Sequence, residues 1–271
     1  MGTKGDSPKN IVIGWLMKRS KKEKIILGVL LFVCALVALK FTVNNPYYTF
    51  IGSQGIHFVG IIVLIYKLFS LKTCSGLSLK TQELTALFLA TRLSFSTLMD
   101  GDIYTVLDLI SLLSTLVVIW AIRFKLKSSY VEEFDSIKRS FVVVPVAILA
   151  VLIHPDSGYF PVSRILWAFS LYMEAVSVLP QLRFMQNAKM VETFTGYYVF
   201  ALGVSRFLQL GHWIIQIYET RGEYFFLVGH GNYWLFASFF SEMVQSFILA
   251  DFCYYYMKSF IQGQLLRKMP I

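Results

Sequence analysis

Charged residues are scarce in this chain. Asp, Glu, Lys and Arg make up 15% of its 271 residues, against about 25% in soluble domains. Hydrophobic residues reach 56%, aromatic residues 16%, and the mean hydropathy is +0.61. A soluble core of this length could not hide so much apolar surface, which leaves an all-α, multi-span membrane protein. Cysteines are few as well: Cys34, Cys74 and Cys253 lie in or beside apolar segments. They form no CxxC pair and no metal-like spacing, so they read as small packed hydrophobes. No N-x-Ser/Thr sequon occurs; Asn45 is followed by Pro46. No catalytic triad, metal set or phosphate-binding glycine loop is present, so neither an enzyme nor a cofactor is expected. The net charge of +9 is spread between apolar runs rather than gathered in a patch. That distribution suits membrane topology and speaks against nucleic acid.

What is abundant is apolar sequence in span-length runs. Residues 1–24 form a basic tail with Lys4, Lys9, Lys18, Arg19, Lys21, Lys22 and Lys24. A first span follows over 25–43; its length and missing cleavage site read as an uncleaved helix rather than a signal peptide. NNPYYTFIGSQG reads as a turn-rich connector. Further stretches lie near 55–71, 83–99, 103–121, 141–154, 161–184, 194–217 and 232–259, about eight spans in all. With the N-terminus in the cytosol, only Lys40, Arg164 and Arg221 fall on the far side, as the positive-inside rule requires. The C-terminal tail, 261–271, is then cytosolic too.

Two spans carry an ionisable residue at mid-depth: Glu174 and Arg206. A charge there costs roughly 2.5–3.5 kcal/mol even on lenient insertion scales, so it faces a bundle interior or a wet cavity. LFLATRLSF in the third span and ALGVSRFLQ in the seventh each place a hydroxyl residue before an arginine, Thr91-Arg92 and Ser205-Arg206. The preceding helices supply His57 and Glu174. Taken as a repeat, this gives two parallel three-helix units joined by the fifth span, with a ligand site between them. Arg206, Gln209, Trp213 and Gln216 share a helix face, as do Arg164, Trp167, Leu171, Glu174 and Gln181. Glu242, Gln245 and Asp251 join from the last span, and Asp108, Ser111 and Thr115 from the fourth. Two buried guanidiniums suit an anionic ligand. A histidine and a buried glutamate would make its binding depend on pH. Plainer readings stay open: a structural ion pair for the arginines, bundle packing for Trp167 and Trp213, an interfacial position for His57.

CSGLSLKTQ, FVVVPVAILA, ILWAFSLYMEAVSVLPQL, YYVFALGVSRF and MVQSFILADFCYYY resemble the KDEL/HDEL endoplasmic-reticulum retention receptor family over about residues 55–260. The resemblance implies a seven-helix, SWEET-like pair of three-helix units, here with one extra N-terminal span. It also implies a receptor that cycles between Golgi and endoplasmic reticulum, binding C-terminal tetrapeptides of lumenal proteins in acid and releasing them at neutral pH. Within it His57 and Glu174 match the proton-sensing pair, and Arg92 and Arg206 match arginines that engage the signal's carboxylate. Trp213 matches a cavity tryptophan, and Asp251 an acid linked to transport or signalling. Several positions depart. Phe50 stands for an arginine, Phe95 for an aspartate, Ser205 and Gln209 for tyrosines, Gln216 for an arginine, and Arg164 for a glutamate that meets the leading basic residue. The carboxylate end of the site is kept and the side-chain-reading end is rewritten, which predicts an altered signal preference. Vesicle coat proteins are implied partners besides the bilayer, although the tail offers Arg267-Lys268 instead of a lysine pair. A small-molecule transporter of the wider PQ-loop superfamily, suggested by LPQL, and a scaffold without signal binding are the alternatives.

Overall fold

The computed structural model describes residues 46–99, 103–156, 160–188, 191–220 and 233–261. The basic tail, the expected span at 25–43 and residues 262–271 lie outside them. Among the described residues every regular element is helical. In chain order these are α1 Pro46–Tyr66, α2 Leu79–Met99, α3 Ile103–Trp120, α4 Ser140–Leu152, α5 Pro161–Val176, α6 Leu179–Asn187, α7 Thr193–Glu219 and α8 Tyr233–Ile261. Single π turns extend α1 over Lys67–Leu71 and α3 over Ala121–Lys125.

The helices follow the apolar runs with two corrections. The connector expected before residue 55 is largely helical, because α1 begins at Pro46. Proline suits a helix start, where its missing N–H is needed by no acceptor. The span expected over 161–184 is broken into α5 and α6 at Ser177–Val178, with Pro180 in the first turn of α6.

Four runs are long and apolar enough to cross a bilayer: Ile51–Leu71, Thr105–Lys125, Pro161–Asn187 and Tyr233–Lys258. α4 is apolar but has 13 residues, about 20 Å at 1.5 Å per residue, short of a ~30 Å hydrocarbon core. α2 and α7 are long enough but more polar, since they carry Arg92 and Arg206. The burial pattern is inverted relative to a soluble bundle. On α3, Asp108, Ser111 and Thr115 are buried, while Val106, Leu109, Leu113 and Leu116 are exposed. On α8, Ser238, Glu242 and Gln245 are inside and Phe236, Phe240 and Phe247 outside. This is a multi-span helical membrane protein with a polar interior.

One end of the bundle is tied by the segments that carry the sequence motifs. Gly76 sits at φ +82°, and a Cβ there would meet Thr195 Oγ1 at 3.1 Å, so the turn in CSGLSLKTQ needs glycine. Gln181 clasps this turn twice, accepting from the Ser78 amide (2.9 Å) and donating to the Gly76 carbonyl (2.8 Å). Asp135 accepts from Ser78 Oγ at 3.0 Å, from the Lys80 amide at 3.1 Å and from the Tyr130 hydroxyl at 2.7 Å. Burial, and then this carboxylate, push the Tyr130 phenol above its ordinary range.

Lys67 is fully buried and donates to Glu192 Oε2 (2.6 Å), Thr195 Oγ1 (2.8 Å) and the Ser75 carbonyl (2.5 Å). Glu192 in turn caps α7 by accepting from the Thr195 amide at 3.0 Å. Burial works against the Glu192 charge, but the Lys67 ammonium holds its carboxyl below the ordinary carboxylate value. Lys67→Met strands that carboxylate, so thermal unfolding in detergent should show a loss of about 1–3 kcal/mol; an unchanged transition would mean that the cluster contributes nothing.

Candidate functional site

The charged residues expected inside the bundle meet in one chain of alternating sign. Asp108 of α3 takes Arg92 of α2 bidentately, through Nε–Oδ2 at 2.8 Å and Nη2–Oδ1 at 2.5 Å. Arg92 Nη1 reaches Glu174 Oε2 of α5 at 2.9 Å. Arg206 Nη2 of α7 lies 2.5 Å from Glu174 Oε1, an ion contact outside hydrogen-bond geometry. Arg206 Nη1 donates to Gln209 Oε1 at 2.9 Å. Arg206 is 1% exposed and Glu174 5%, with Arg92 half-buried. Two carboxylates and two guanidiniums cancel formally. That neutrality, with each charge beside its opposite, is what lets such groups sit in an apolar bundle.

The surrounding helices fix this chain in place. Gln245 of α8 donates to the Glu174 carbonyl at 3.1 Å, and Ser246 to the Arg206 carbonyl at 3.4 Å. Ser53 of α1 bonds the Ser205 carbonyl at 2.9 Å, tying α1 to α7 one residue before Arg206. Gly60 lets the same two helices approach, since a Cβ there would stand 3.3 Å from Ala201 Cβ. His57, a turn beyond Ser53, is buried, and the charges acting on its ring are those of Arg206, Glu174 and Arg92.

The first helix of each half therefore contacts the second helix of the other, α1 with α7 and α5 with α2.

Other expected site residues are distributed differently. Gln209 is buried beside Arg206, whereas Trp213 and Gln216, further along α7, are half-buried. Arg164 is held away from the ionic chain, its Nη1 2.8 Å from Asp156 Oδ1, and Asp156 is 94% exposed. Asp251 leaves the polar stripe to which the sequence assigned it: it is exposed, on the outward side of α8 with Phe247 and Tyr254. Nine residues along a helix amount to half a turn beyond whole turns, so Asp251 faces opposite Glu242.

Phe95 stacks on Trp167 (5.1 Å between centroids, 12° between planes), and Trp167 packs on Trp234 at 5.3 Å. These rings fill the space one turn from Arg92, toward the end of the bundle where α2 stops and α5 and α8 begin. The second carboxylate on Arg92, besides Glu174, comes from Asp108, a residue the sequence reading placed on a polar stripe without assigning it a partner. An acid inside an apolar run was the available signal.

Arg92 and Arg206 converge on one carboxylate, so the chemistry here is that of a doubly clamped carboxylate. Among the described residues no group of three or more His, Cys, Asp or Glu is placed to hold a metal ion.

The chain is similar in sequence to known proteins. The family described as ER lumen protein retaining receptor matches residues 73–216, more than half of the chain. The chain is 33% identical over 206 residues to the ER lumen protein-retaining receptor of Petunia hybrida, covering 75% of this chain and 90% of that one. It is 34% identical over 214 residues to ER lumen protein-retaining receptor B of Arabidopsis thaliana, covering 78% and 94%. With ER lumen protein-retaining receptor 3 of Xenopus laevis it shares 34% over 217 residues, covering 79% and 95%. The matched region carries all four members of the ionic chain, Arg92, Asp108, Glu174 and Arg206. By sequence, this chain belongs to the ER lumen protein retaining receptor family, a family of receptors.

Proposed function

We propose that the protein is a receptor for C-terminal retention signals of lumenal proteins, working in endoplasmic-reticulum and Golgi membranes with both termini cytosolic. The observation that carries this reading is the convergence of Arg92 and Arg206 on the Glu174 carboxylate. Glu174 occupies the place a peptide's terminal carboxylate would take, so an incoming signal exchanges one carboxylate for another at guanidiniums already oriented. His57, under the influence of all three charges, supplies proton dependence: a cationic imidazole adds the positive charge that an extra anion needs. Trp213, Gln216 and Arg164 would line the remainder of the signal, Asp251 would serve transport from the outward face of α8, and coat proteins would meet the cytosolic tails.

The rewritten end of the site supports a changed preference. Phe95 and Trp167 present aromatic faces, and Arg164 adds a cation whose partner Asp156 is exposed and exchangeable. In a panel of tetrapeptides measured at about pH 5.5 and 7.4, a leading Ala or Glu should bind better than a leading Lys. The expected margin is about fivefold, the factor that ~1 kcal/mol gives for an exposed charge pair. The same peptides with an amidated C-terminus should not bind. Failure of every free-carboxylate peptide at both pH values would sink the reading; pH-driven uptake of a small anion into proteoliposomes would replace it with a transporter.

A further inference from the structure

Asp108, Arg92, Glu174 and Arg206 form a neutral set in which both guanidiniums are already engaged. A third carboxylate is nevertheless buried next to it. Glu242 of α8 is 4% exposed, and its Oε2 has no hydrogen-bond partner. The charges acting on it are Arg206 on α7, Glu174 on α5 and Arg92 on α2, the three that also act on His57 of α1. On the far side of Arg92 stands Asp108 of α3. Arg206 Nε is likewise buried without a hydrogen-bond partner, so an unused donor and an unused acceptor belong to the same site. Gln245 and Ser246, three and four residues further along α8, bond the backbones of Glu174 and Arg206. These bonds hold Glu242 at the site.

We propose that Glu242 is an internal competitor for Arg206, so that an anionic ligand is held only while Glu242 carries a proton. This rests on the retention-signal reading above and adds a specificity- and pH-determining residue to it. Protonated, Glu242 is a neutral hydrogen-bonding group, and a ligand carboxylate competes at Arg206 with Glu174 alone. Ionised, it places a third internal anion at two guanidiniums and displaces the ligand's carboxylate.

The test measures binding of a free-carboxylate tetrapeptide to full-length protein in detergent at about pH 5.5 and 7.4, for the parent, Glu242→Gln and Glu242→Met. Both variants remove the ionisable group; the first keeps the hydrogen-bonding shape and the second the volume. In both, the drop in affinity between the two pH values should shrink by about tenfold or more, one proton's share of the linkage, with affinity at the lower pH nearly kept. His57→Ala, by contrast, should lower affinity at the acidic pH. A pH profile in either folded variant that matches the parent's within about twofold overturns the role of Glu242 and leaves the receptor reading intact. Absence of binding by the parent at both pH values removes both.

Discussion

Arg206→Met will abolish binding of carboxylate-terminated peptides and lower the stability of the bundle by about 3–5 kcal/mol, the cost of leaving one member of a buried pair uncompensated. Glu174 loses its 2.5 Å ion contact and keeps only Arg92, which it already shares with Asp108. One guanidinium then faces two buried carboxylates. Adding Glu174→Leu restores the charge balance, since Arg92 and Asp108 remain a complete bidentate pair. Thermal unfolding should recover most of the lost stability in the double variant, because well-packed apolar replacements of buried ion pairs are often neutral. Binding should not recover, for the second guanidinium of the clamp is gone. The two measurements separate structure from recognition. A single variant as stable as the parent, or a double variant that binds, would contradict the account of the ionic chain.

Much of this arrangement was legible in the sequence because membranes penalise buried charge so heavily. His57, Arg92, Glu174 and Arg206 stood out for that reason, and all four lie within one connected site. Partner choice was not legible. Helical spacing puts Asp108 and Glu242 on inward faces but says nothing of which opposing helix each meets. The pairing of Asp108 with Arg92, and the missing partner of Glu242, depend on how the helices cross. The ion pair of Arg164 was not legible either: its partner Asp156 lies eight residues earlier, in a connection. The start of α1 was missed because Gly52, Gly55 and Pro46 look like turn residues, yet the two glycines sit in a helix where a Cβ would touch nothing within 4 Å. Asp251 could have been separated by arithmetic alone, since its offset from Glu242 is half a turn.

The close seam between α7 and α8 was invisible to composition, and it is where a single methyl group should do most harm. A Cβ at Gly203 would lie 2.3 Å from Cys253 Sγ, and one at Gly196 would lie 2.6 Å from the Tyr256 ring. The two glycines are seven residues apart on one face of α7, so α8 rests directly on its backbone. Gly203→Ala should destabilise the bundle by about 1–3 kcal/mol through overpacking, and Gly196→Ala/Gly203→Ala by more than either alone. The loss has a functional side. Gly203 lies one turn from Arg206, and Cys253 two turns from Ser246 on the helix that also carries Glu242 and Gln245. An α8 pushed outward carries Gln245 away from the Glu174 carbonyl and Ser246 away from Arg206, loosening the clamp that holds a carboxylate. Peptide affinity at acidic pH should therefore fall along with the unfolding temperature. Cys253→Ala, which removes the sulfur in the way, should return both in the Gly203→Ala background. Gly52→Ala and Gly55→Ala set the contrast: with open space at each Cβ, they should raise helix stability by up to about 1 kcal/mol. If the Gly203 and Gly55 substitutions behave alike, close backbone approach is not what positions α8 against the site.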